Sequence, residues 1–91
     1  MKASEYIRQG WCREAASVTQ GGTRGAFNQP GAIAWCMGAA VVLAEGHTSV
    51  ESPDYDKLYG QEMTLPAMAR WNDKKGRTQA EVVAKLESWG L

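Results

Sequence analysis

The sequence predicts an all-α fold, a compact bundle of four or five short helices around one buried apolar helix. The run from Gly31 to Glu45 carries no charge before its last residue and alternates small with large side chains. A helix that is apolar on every side must be surrounded by protein. Helix-start signals follow at Ser52, Thr64 and Thr78, and no alternating strand pattern competes with them.

The first thirty residues predict one helix and one long loop. Ser4 is a candidate N-cap for a helix that turns Ile7 inward. Gly10 ends this helix, or the helix continues towards Ala16; the pattern leaves both open. Residues 17–31 are rich in Gly, Thr, Gln and Asn, a composition typical of a loop.

The central helix is predicted over about 31–45. Pro30 stands near its first turn, where a missing N–H costs nothing, and Gly46 stops it. Small residues on this helix would let its neighbours approach closely, and a side chain at Gly38 would block that approach. Val41 and Val42 are β-branched, but the surrounding alanines favour helix.

Three further helices are predicted in the second half of the chain. Ser52-Pro53-Asp54 begins a short helix that Gly60 ends, with Leu58 and Tyr59 on its inner face. Thr64-Leu65-Pro66 begins another by the same logic, and residues 72–76 form the turn after it.

The last helix has the clearest signal in the chain. Thr78 and Glu81 form a capping box, in which each side chain satisfies the other residue's backbone N–H. The apolar positions that follow share one helix face. They are Val82, Val83, Leu86 and Trp89.

Length and charge restrict the class of protein. A chain of 91 residues predicts a single domain over 1–91, and ten acidic residues balance ten basic ones, so no net field attracts nucleic acid or membrane. No run reaches the ~20 apolar residues of a membrane span, and the start lacks a signal-peptide core. We therefore expect a cytoplasmic protein without a membrane partner, in which Cys12 and Cys36 are buried thiols. A disulfide between them stays open, but a chain without a secretion signal does not indicate one.

Four segments resemble a family of small uncharacterised proteins of phages and actinobacteria. They are Gly10-Trp11-Cys12, Trp35-Cys36-Met37-Gly38-Ala39, Leu65-Pro66, and Trp71-Asn72-Asp73 with Thr78-x-x-Glu81-Val82. The resemblance implies a mainly helical domain of unknown function, with no catalytic residues to transfer. It also implies a phage accessory protein, found in the host cytosol.

The glycine-rich loop before the central helix is a candidate anion or nucleotide site. Helix N-termini offer free amides and partial positive charge, and arginines can clamp a phosphate. The chain has no Walker pattern, and such a loop is most often a simple connection. The candidate ligands are Arg13, Arg24, Asn28, Gln29 and Gly31.

A basic cluster with one aromatic residue is a candidate partner-binding surface. Because the chain has zero net charge, nucleic acid is an unfavoured ligand for this cluster. We therefore interpret it as a surface for a protein partner. Four tryptophans exceed what so small a core needs, which indicates an interface and self-association into a homo-oligomer. The residues of the cluster are Arg70, Trp71, Lys74, Lys75 and Arg77.

Catalysis is the third hypothesis. Cys36 is a possible nucleophile one turn into the predicted helix, with His47 as its base and Asn72 or Asp73 as the orienting group. The predicted helix separates Cys36 from His47 by roughly 16 Å at about 1.5 Å per residue. No metal-ligand spacing is present and no cofactor is expected. The prediction is a non-enzymatic protein that binds a host protein or its own copy, with a nucleotide-sequestering module as the alternative and a cysteine hydrolase after it.

Overall fold

The predicted all-α class is wrong, because the part of the chain that the structure describes combines four helices with a three-stranded antiparallel sheet. A computed structural model describes residues 1–46, 58–59 and 62–91. The elements in chain order are α1 (Ala3–Gln9), β1 (Ser17–Thr19), β2 (Arg24–Gly25), β3 (Ala32–Trp35), α2 (Met37–Ala44), α3 (Leu65–Asn72) and α4 (Gln79–Ser88).

The sheet lies where the sequence predicted a loop. Its strand order is β2-β1-β3, with Ser17 opposite both Gly25 and Trp35. The β1–β2 turn is closed by a bond from Thr19 N to Thr23 O at 3.0 Å, with Gly22 at φ 85°. Polar, glycine-rich composition is shared by loops and by short hairpins, so only the pairing separates them.

The predicted helix over 31–45 is shorter than expected, since α2 occupies only Met37–Ala44. Residues 32–35 form β3, which pairs with β1. The register of this pairing shifts between Val18 and Thr19. An apolar run is compatible with either a buried strand or a buried helix. The prediction that α2 is apolar on every side is confirmed for its first six residues, Met37–Val42, all of which are buried.

The core forms where α1 and α3 pack against α2 and α4 packs against α1. Its buried residues include Ile7 on α1, Met68 on α3, and Val82 and Leu86 on α4. The four tryptophans are half-buried and pack around this cluster. None of the described helices is long and apolar enough to cross a membrane.

The helix starts are partly as predicted. The capping box of Thr78 and Glu81 is confirmed, with Thr78 Oγ1 accepting from Glu81 N at 3.2 Å, and Thr64 caps α3. Ser4 is wrong as a cap: it lies inside α1, buried, and its backbone N–H donates to Leu91 O at 3.2 Å.

Two more predicted elements differ. Asn72 is the last residue of α3 and does not belong to the turn that follows. The helix predicted from Ser52 falls mostly outside the described residues, and its last two apolar positions, Leu58 and Tyr59, are not helical. Tyr59 instead forms an antiparallel bridge with Met63.

The neighbouring backbone leaves no room for a side chain at Gly10, whereas Gly38 has room for one. A Cβ on Gly10 would lie 2.0 Å from Ile33 O, because the backbone after α1 passes directly against β3. A Cβ on Gly38 would meet Leu65 Cδ2 at 3.6 Å, an ordinary contact. The prediction that a side chain at Gly38 would block packing is therefore wrong.

Candidate functional site

Three segments that lie far apart in the sequence meet at one buried amide, the side chain of Asn72. Its Oδ1 accepts from Trp11 Nε1 at 2.7 Å and from Met37 N at 3.0 Å. Its Nδ2 donates to Cys12 O at 3.1 Å and to Asp73 Oδ1 at 3.0 Å. We call Asn72 and these four partners the Asn72 junction.

The junction uses the full bonding capacity of a carboxamide, which accepts two hydrogen bonds and donates two. Asn72 has no exposed surface, so each of these bonds replaces one that water would otherwise make. Met37 is the first residue of α2, so its backbone N–H has no partner within the helix. Asn72 Oδ1 accepts a hydrogen bond from this N–H. The amide therefore joins the start of α2 to the end of α3 and to the segment after α1.

The segment after Cys12 folds over the end of α3 and is held by Asp73. Arg13 Nη2 donates to the backbone O of Asp73 at 2.7 Å, and Glu14 N donates to its Oδ1 at 3.0 Å. Glu14 takes a left-handed conformation, at φ 62°. The Nε of Arg13 is buried, with no hydrogen-bond partner among the described residues.

A cavity of about 290 Å³ opens beside this segment. Two acidic residues, Glu14 and Asp73, and the thiol-bearing Cys36 are among the residues that line it. The rest of the lining is apolar, from Ala15, Ala16 and Ala69. Its chemistry is that of a small apolar recess with acidic groups on its lining.

The two thiols near the junction are protonated at neutral pH. Burial raises the pKa of Cys36, although its Sγ caps α2 by accepting from Ala39 N at 3.4 Å. Burial, with the charges of Cys36 and Asp73, raises the pKa of Cys12 to about 11. An activated nucleophile needs a lowered pKa, so this environment does not prepare either thiol for catalysis.

The orienting group and the base of the cysteine hypothesis have different outcomes. Asn72 and Asp73 do lie near Cys36, as an orienting group would. His47, the base proposed for it, falls outside the described residues. Within the described ranges, no group of three or more His, Cys, Asp or Glu side chains could hold a metal ion.

The five residues predicted for an anion site do not surround one helix N-terminus. Gly31 precedes β3, whereas α2 begins at Met37, after Cys36. Gln29 packs inside the hairpin, where its Nε2 donates to Ser17 Oγ and Thr23 O, both at 3.1 Å. Arg13 is held by Asp73, while Arg24 and Asn28 lie exposed.

The predicted partner surface divides into a packed pair and three exposed cations. The Arg77 guanidinium lies 3.5 Å from the centre of the Trp71 ring, and its Nε donates to Trp71 O at 2.9 Å. Arg77 also binds Glu81 at 3.2 Å. The exposed remainder, which we call the basic corner, consists of Arg70, Lys74 and Lys75.

A family model for a family of unknown function matches residues 1–88. The chain belongs to this family, DUF6197. A search of curated proteins and a search of solved structures found no match to the chain. The match supports the part of the resemblance that places the chain in a family of unknown function, and it covers every segment of the Asn72 junction.

Sequence reasoning missed the role of Asn72. Asn beside Asp is typical of a turn, and this pattern predicts a turn residue at Asn72. The available signal was its position directly after Trp71, within the apolar period of α3. The partners of a buried amide lie elsewhere in the chain, so no local pattern identifies them.

Proposed function

We propose that the protein acts without turnover, by binding an acidic surface of a host protein through the basic corner. The observation that carries this proposal is the exposure of three cations at the end of α3, while the neighbouring Asp73 is engaged in the fold. Complementary charge steers association and selects partners. Arg70, Lys74 and Lys75 are the contact residues of the proposal.

Packed and capped residues next to the basic corner favour recognition. The Trp71–Arg77 stack and the capping box of α4 hold the chain immediately on both sides of Lys74 and Lys75. A surface that is ordered before binding loses less conformational entropy when a partner arrives. This arrangement suits a stoichiometric binding protein.

The chemistry around the Asn72 junction supports binding over catalysis. All four bonding positions of the buried amide are occupied within the protein. Both cysteine pKa values are raised, which leaves the thiols as weak nucleophiles at neutral pH. The resemblance to phage and actinobacterial proteins is the basis for choosing a host protein as the partner.

The proposal is tested by capture and then by reconstitution. Tagged protein is used to capture proteins from an actinobacterial lysate, and the captured protein is purified and titrated calorimetrically. We expect the double variant Arg70→Glu with Lys74→Glu to lose binding by at least about tenfold, since like charges then face the acidic partner. Raising the salt concentration should weaken wild-type binding.

The matched control carries the same charge change at exposed residues elsewhere, Lys2→Glu with Arg24→Glu. It should bind as the wild type does. Loss of binding in this control alone would contradict the proposal and favour the glycine-rich loop around Arg24. Light scattering of the isolated protein tests whether the partner is a second copy of the chain. If the wild type is a dimer and the basic-corner variant is a monomer, the basic corner binds another copy and not a host protein.

A further inference from the structure

The chain contains two Trp-Cys dipeptides, and the fold sets them side by side. Trp11 and Trp35 form a parallel bridge, in which Trp35 N donates to Gly10 O at 3.1 Å and Cys12 N donates to Trp35 O at 3.2 Å. The second bond joins the backbone of Cys12 to the peptide group that links Trp35 with Cys36. Each cysteine is therefore the next residue after a bridged tryptophan.

This register brings the two cysteines into the range of a disulfide. Facing residues of a parallel pair point to the same side, and the residues after them both point to the other side. Neighbouring strands lie about 4.8 Å apart, and disulfide-bonded cysteines have Cα atoms about 4.4–6.8 Å apart. The bridge register is therefore compatible with the Cα separation that a Cys12–Cys36 disulfide needs.

The electrostatics of the thiols agree with this proximity. A negative charge on Cys36 is one of the causes that raise the pKa of Cys12. Both thiols are free in this structure, Cys12 next to Ala15 O and Cys36 as the cap of α2. The two groups form a reduced pair.

We infer that Cys12 and Cys36 are a dithiol that a small-molecule disulfide, such as oxidised glutathione, converts to an intramolecular disulfide. The Cys12 thiolate attacks the glutathione disulfide, forms a mixed disulfide and releases one glutathione thiolate. Cys36 loses its proton to solvent and attacks the Cys12 sulfur, releasing the second glutathione. Two protein thiols are oxidised and one glutathione disulfide is reduced, so atoms and electrons balance.

The oxidised form differs from the reduced form at the start of α2. In the reduced protein, Cys36 Sγ accepts from Ala39 N, and Cys36 is one of the residues that line the cavity with Glu14 and Asp73. A bond to Cys12 would join this sulfur to the segment that runs parallel beside β3. Oxidation therefore acts on the cap of α2 and on the wall of the cavity, and it does not depend on the partner proposed above.

The experiment incubates the folded protein with excess oxidised glutathione at pH 7, 8 and 9, followed by intact mass measurement and peptide mapping. We expect the wild type to lose two hydrogens, retain no glutathione and yield a Cys12–Cys36 cross-linked peptide. The rate should rise with pH across this series, since thiolate is the attacking species and the pKa of Cys12 is raised to about 11.

The Cys36→Ser variant is the matched test, because serine also accepts a hydrogen bond at an N-cap. It should accumulate one glutathione on Cys12 and stop there. Wild type unfolded in urea confirms that the oxidant is active. Two free thiols after incubation of the folded wild type at pH 9, a stable glutathione adduct on it, or a disulfide-linked dimer would each overturn the inference.

Discussion

The indole Nε1 of Trp11 donates to Oδ1 of Asn72 at 2.7 Å, across 61 positions of the sequence. The same oxygen accepts from Met37 N, so one atom connects the segment after α1, the start of α2 and the end of α3. Tryptophan and asparagine, which appear in the sequence as a core residue and a turn residue, act here as one hydrogen-bonded unit.

Replacing Asn72 by Ala should destabilise the protein by about 3 kcal/mol or more, because Trp11 Nε1, Met37 N and Cys12 O then lack their partner. Trp11→Phe removes one donor together with part of a half-buried ring, and it should cost less, about 1–2 kcal/mol. Urea unfolding followed by circular dichroism measures both. Equal free energies of unfolding for Asn72→Ala and the wild type would contradict the role assigned to the junction.

Alanine should have opposite effects at two glycines. Gly10→Ala places a Cβ 2.0 Å from Ile33 O, and relieving this contact by moving backbone should cost about 1–3 kcal/mol. Gly38→Ala meets Leu65 Cδ2 at 3.6 Å, and inside α2 it should stabilise by up to about 1 kcal/mol through helix propensity. Thermal unfolding compares the two. A Gly10→Ala variant more stable than the wild type would show that the backbone at Gly10 and the backbone at Ile33 can separate without cost.

The cap of α4 should make part of the stability dependent on pH. Hydrogen bonds from the Thr78 side chain and backbone, and then Arg77, hold the pKa of the Glu81 carboxyl below its ordinary value of 4.5. A lowered folded-state pKa gives stability that is present above the unfolded value and is lost as the pH falls through the folded one. Glu81→Gln should therefore lose less stability than the wild type on acidification below pH 4.5.

Thermal unfolding between pH 6 and pH 3 measures this difference. Thr78→Ser retains a hydroxyl cap and is the control that should follow the wild-type profile. Identical acid sensitivity in Glu81→Gln and the wild type would assign the loss of stability to other carboxyl groups.

The candidate site was only partly visible in the sequence. The Trp-Cys dipeptides and the Trp-Asn-Asp segment carry the family resemblance, and the cysteine hypothesis groups Cys36 with Asn72 and Asp73. Their convergence was not predicted, because it depends on a parallel bridge between Trp11 and Trp35. The basic cluster was likewise identified as a group, but its division into a packed pair and three exposed cations follows from the ring stacking of Arg77.

The sequence by itself determined the parts of this protein whose bonds close within a few residues. Thr64 caps α3 by accepting a hydrogen bond from Ala67 N, and Thr78 caps α4 by accepting one from Glu81 N. Each of these helices begins directly after its capping residue. The tertiary structure decided whether residues 32–35 are strand or helix, because their partners, Ser17–Thr19 and Gly10, lie at least 13 positions away. It also decided that Asn72 is a buried junction, since an amide satisfied by distant groups carries no local pattern.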